Sequence, residues 1–130
     1  MKHRAIPLLA AFVLFLCAAP ALGGVSLGEH VTVGNAEVVD TDYNGAFQAA
    51  LQRALSQAVR DESFKILPSV LILKYRPIIR DEIWGNPAPY VLKYRVLFMG
   101  MKGDLYQVKI DAFVERDFLK QRLWELVSNR

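Results

Sequence analysis

Past its first 23 residues this chain has no cysteine and only one histidine: the sole cysteine is Cys17, and the two histidines are His3 and His30. That scarcity removes whole classes of chemistry. No disulfide framework or thiolate metal site can be built. A catalytic zinc site lacks its imidazoles, and nucleophilic catalysis has a single imidazole base to draw on. Ser26, Ser56, Ser63, Ser69 and Ser128 stand in no G-x-S-x-G context. Asp40 and Asp42 lack the D-x-D-x-D-G continuation of a calcium loop and suit helix capping instead. His30 reads as a surface residue at the start of a strand, and Asp61-Glu62 and Asp81-Glu82 read as solvated pairs near helix ends. No catalytic residue, metal ligand or cofactor is expected, and the chain is not expected to be an enzyme.

An excess of one charge is missing too. The chain has 16 Lys and Arg against 13 Asp and Glu, and Lys2 and Arg4 lie in the first 23 residues, leaving 14 against 13. Such a balance lacks the dense basic footprint of a nucleic-acid binder, so no nucleic-acid partner is expected. Internal repeats and low-complexity stretches are absent as well.

One long apolar run is present. It extends from Ala5 to Ala19, behind Lys2 and Arg4 and ahead of small residues, the layout of a secretory signal peptide. Cleavage fits after Ala21 or after Gly23, which implies a periplasmic or secreted protein without a transmembrane span. An uncleaved anchor needs about 20 apolar residues, a length this run barely reaches between Pro7 and Pro20. A lipoprotein needs a small residue before the modified cysteine, whereas Cys17 follows Leu14-Phe15-Leu16. Residues 24–130 then make one domain with one core.

The pattern in that domain is mixed. Val31, Val33, Val38 and Val39 suggest a strand near 30–39, with Gly34-Asn35 as a bulge or bend. Phe47, Leu51, Ala54 and Ala58, widened by Ala50, Leu55 and Val59, make one stripe of a long helix over 43–66, ended by Pro68. Val70 to Leu73 read as a short strand or extended connection, and Pro77 opens a short helix over 77–84. Two strands follow, near 90–99 and 104–115, with Gly103 in a three-residue loop that sets Lys93 opposite Asp111 and Arg95 opposite Lys109. A helix over 117–128, with Asp117 as its cap, closes the chain. Strands and helices do not alternate regularly, so the expected class is α+β, a small mainly antiparallel sheet with helices on one face.

Alternation assigns the faces of the hairpin. Leu92, Tyr94, Val96 and Phe98 are expected inside with Tyr106, Val108, Ile110, Ala112 and Val114. Outside fall Lys93, Arg95, Leu97, Leu105, Lys109 and Phe113. Phe113, Leu97, Leu105, Lys93 and Arg95 are the candidate partner-binding residues, because apolar side chains on a wet face mark contact surfaces.

The same elements carry a resemblance. Ala50, Ala54, Leu55 and Ala58, then Tyr94, Val96 and Leu97, then Gly103, Tyr106, Val108, Ile110, Ala112 and Val114, and finally Leu119 and Leu123 make a run similar to the N-terminal domain of flagellar assembly protein T. The resemblance implies a secreted, non-enzymatic envelope protein that works through protein partners, flagellar ring components among them. The alternatives are an N-terminally anchored envelope protein and a small-ligand or lipid carrier with a pocket between the alanine-rich helix and the sheet.

Overall fold

The computed structural model describes residues 25–129, so the expected signal peptide lies outside the described residues. Strand β1 (Leu27–Ala36) is followed by helix α1 (Tyr43–Ile66), the short helices α2 (Ser69–Lys74) and α3 (Arg76–Ile79), and a π-helical turn over Arg80–Trp84. A 3-10 turn (Ala88–Tyr90), strands β2 (Val91–Lys102) and β3 (Leu105–Glu115), and helix α4 (Arg116–Ser128) complete the fold. The three strands form one antiparallel sheet in the order β1-β3-β2. The protein is a small α+β domain.

Helix α1 begins and ends where local chemistry requires. The Asp42 carboxylate accepts the Gly45 N–H at 2.9 Å, satisfying one orphan donor of the first turn. At the other end the chain turns extended at Leu67, the residue before Pro68. The alanine stripe is the packing face: Ala50, Ala54 and Ala58 are wholly buried. With so little side chain between them, helix and strand come close enough for Thr32 Oγ1 to donate to the Ala54 carbonyl at 2.7 Å.

Gly34 is the other half of that approach. A Cβ there would lie 1.9 Å from the Ala50 carbonyl oxygen. The expected bulge at Gly34-Asn35 is therefore corrected: β1 pairs with β3 without a break from Leu27 to Ala36, and the glycine admits helix backbone. The stretch Val70 to Leu73 is corrected as well, because it is helical within α2, with Ile72 turned into the core. Asp117 sits in the first turn of α4 and does not cap it; Glu115 holds the cap position without a side-chain bond.

Leu119, Leu123 and Leu126 of α4 complete the core, and Phe118 stacks on Tyr90 at 5.2 Å between ring centroids. Among the described residues no helix is long and apolar enough to cross a membrane.

Candidate functional site

Helix α1 lies across β1 and β3 and barely reaches β2. A helix about 10 Å wide covers two strands spaced about 4.8 Å apart and leaves a third bare. On β3 the expected inner row holds: Val108, Ile110, Ala112 and Val114 are buried. On β2 it fails. Leu92, Tyr94, Val96 and Phe98, expected inside, are exposed by 55, 43, 37 and 38%.

Two register shifts alter β2 further. Leu92 is an extra residue between Val91↔Val114 and Lys93↔Phe113, and Leu97 is another between Val96↔Ile110 and Phe98↔Lys109. Beyond the second shift the faces exchange. Phe98 moves to the outer face, while Met99 and Met101 pair with Val108 and Tyr106 on the helix side. The turn holds two residues, with Lys102 paired to Leu105 and Gly103 at φ +62°, the glycine-first pattern of a type II′ hairpin. The shorter turn and the shifts replace the expected pairs with Lys93↔Phe113 and Arg95↔Asp111.

The outer face brings three of the five candidate residues together. Lys93 Nζ lies 5.0 Å from the centre of the Phe113 ring, and Arg95 Nη2 donates to Asp111 Oδ2 at 3.2 Å. These side chains rim a shallow recess of about 270 Å³ that also includes Glu29. Leu97 sits in the second bulge and Leu105 beside the turn, both exposed and both farther along the hairpin. The Glu29 carboxyl is held above the ordinary range by the neighbouring Asp111 carboxylate.

Asp111 is the unusual member of this face. No helix covers it, yet its side chain is 5% exposed, and Oδ1 has no hydrogen-bond partner among the described residues. Arg95, at 73% exposure, is its cation. An exposed arginine ordinarily tolerates alanine within about 0.5 kcal/mol. Here the change strands a buried carboxylate, so Arg95→Ala is expected to cost about 1–3 kcal/mol. Urea unfolding checks this, and a loss no larger than that of Lys120→Ala would refute it.

A second polar cluster runs against expectation. Glu62, read as solvated, is wholly buried, and His30, read as a surface residue, has a 9% exposed side chain. Glu62 Oε1 meets His30 Nε2 at 2.6 Å, and Arg116 Nε donates to Oε2 at 2.6 Å. Arg116 also donates through Nη1 to Ser26 Oγ at 3.1 Å. Burial alone would raise the Glu62 pKa, but the bonds from His30 and Arg116, with their charge, bring it below the ordinary carboxylate value of 4.5. The signal was in the helix period: Glu62 falls four residues after Ala58 and seven after Leu55, on the buried stripe.

This cluster ties β1, α1 and α4 together rather than facing a substrate. Among the described residues no group of three or more His, Cys, Asp and Glu has metal-holding geometry. No known family, no curated protein and no solved structure matches the chain.

Proposed function

We propose that this domain is a non-enzymatic interaction module of the cell envelope that takes an extended segment of a protein partner along β2. The observation carrying this reading is the bare edge: a 12-residue strand whose Leu92, Tyr94, Val96, Leu97, Phe98, Met99 and Met101 are all exposed. An unpaired edge offers backbone donors and acceptors to an added strand, and side chains on either flank supply specificity. Lys93, Arg95 and Lys102 are the only charged residues of β2, so the fitting partner alternates apolar with acidic residues. Tyr94, Val96, Met99 and Met101 would meet its apolar side. Lys93, Arg95 and Leu97, with Phe113 and Leu105 behind them, would meet its acidic side. Lysine and bulges on an edge also oppose pairing between copies.

The test is a photo-crosslinking residue at Met101, compared with one at the exposed Lys120 of α4. The expected result is a discrete adduct from position 101 alone, erased by Met99→Asp while the melting temperature moves little, because Met99 is already 59% exposed. Equal adducts from both positions, or an adduct of twice this chain's mass, would reject the reading.

Export from the cytoplasm and an envelope role, in the flagellar basal body among other places, belong to the same proposal. They rest on the leader-like first 23 residues and on the resemblance to the flagellar assembly domain. The intact mass of the exported protein tests them. A chain starting at Leu22 or Gly24 is expected, and a full-length chain would favour the anchored alternative. The carrier alternative would use the recesses beside α1, about 320 Å³ between Leu55 and Val91–Tyr94 and about 280 Å³ between Phe47, Met99 and Tyr106, and a small molecule retained in native mass spectrometry would favour it.

A further inference from the structure

A recess of about 450 Å³ lies away from β2, between α1 and the segment that runs from α3 into the π-helical turn. Four arginines line it, Arg53, Arg60, Arg76 and Arg80, and none of its lining residues is acidic. They come from two rows. Arg53 and Arg60 are seven residues apart on α1 and share a face, while Arg76 and Arg80 are four apart, one turn along the opposing wall. Near-neutral composition hides this concentration.

The wall is built rather than loosely draped. The Arg60 guanidinium lies over the Trp84 ring at 5.0 Å from its centre, a cation–π contact. Trp84 is held in turn: Ser56 Oγ donates to its carbonyl at 2.7 Å, its indole N–H donates to Ser63 Oγ at 3.1 Å, and Phe64 stacks at 6.3 Å. Arg53 donates one N–H to the Asn35 carbonyl. Arg80 meets Asp81 at 3.3 Å, a pair with both side chains more than 60% exposed, and Asp61 accepts from Gln57 at 2.7 Å. Among the described residues Arg76 has no carboxylate partner at all.

We infer that this recess binds a phosphate-bearing ligand. Arg53, Arg60 and Arg76 face one space with no carboxylate partner among the described residues, and the arginine fork matches the oxygens of phosphate in pairs. A single carboxylate would leave most of that charge unanswered, whereas a phosphate monoester or diphosphate answers it with two or more. The recess also admits a phosphate carried on a larger body, either a soluble phosphate ester or the headgroup of an anionic lipid.

Inorganic pyrophosphate is the probe, titrated calorimetrically at about 150 mM salt so that unspecific surface attraction is screened. Saturable one-to-one binding is expected. It should weaken at least about tenfold in Arg76→Gln and in Arg60→Gln, each of which removes a charge-assisted contact. Lys120→Gln removes the same charge from α4 and should leave binding unchanged. Should Arg60→Gln loosen the packing of Trp84, the exposed Arg76→Gln still decides the matter. A lipid source is distinguished by cosedimentation with phosphatidylglycerol vesicles, absent with phosphatidylcholine alone and competed by pyrophosphate. A soluble source gives pyrophosphate binding without cosedimentation. Failure to bind both probes, or equal weakening by Lys120→Gln and Arg76→Gln, would overturn the inference.

Discussion

Arg116→Met will lower the stability of the domain by about 3–5 kcal/mol, the cost of leaving a buried charge without its cation. Glu62 is wholly buried and spends its two oxygens on His30 and Arg116, at 2.6 Å each. Without the guanidinium, Oε2 has no hydrogen-bond donor among the described residues. Arg116 is itself 40% exposed, so the reverse change, Glu62→Leu, removes the more expensive partner and should cost less. The double variant should recover much of the loss of Arg116→Met, because contacting residues of one network do not add. Urea unfolding of the four proteins checks this. Additive losses would show that the bond between Glu62 and Arg116 contributes nothing to the fold.

The same carboxylate sets an acid dependence. Its folded pKa lies below the ordinary 4.5, so on acidification the unfolded chain takes up the proton first. The contribution of Glu62 is therefore complete above 4.5 and is lost as pH falls through the lowered folded value. Unfolding free energies measured from about pH 7 to about pH 3 should show this decline in the native chain and a shallower one in Glu62→Gln, which has no proton to take up.

Ile110→Ala will cost about 2–5 kcal/mol. Ile110 is wholly buried at the centre of β3, the middle strand, paired with Thr32 on one side and Val96 on the other. Removing its side chain opens a cavity beneath α1, where the alanine stripe has no longer side chain to lend. The equivalent change on the neighbouring strand, Val96→Ala, should cost well under half as much, since Val96 is 37% exposed before any change. Equal losses at the two positions, read from the same unfolding curves, would mean that β2 is covered after all.

Local periodicity on its own determined a good deal of this protein. The buried stripe of α1, the leucine row of α4 and the inner row of β3 follow from spacings of 3.6 and 2 residues, because each element buries one continuous face. Gly103 was legible as the turn residue for the same local reason: the hairpin needs a positive φ there. Tertiary structure alone decided which faces are covered. Strand β2 alternates in sequence as β3 does, yet it lies at the edge where one helix cannot reach, and alternation carries no information about strand order. The bulges at Leu92 and Leu97 re-aim its side chains, a count that only pairing with β3 reveals. Glu62 carries a surface residue's charge at a position of the buried stripe, and its burial depends on His30 and Arg116, 32 residues before it and 54 after it. The four arginines of the recess are scattered over 28 positions and meet only when the π-helical turn after α3 packs against α1. Composition averages charge along the chain, whereas a binding site depends on charge gathered in space.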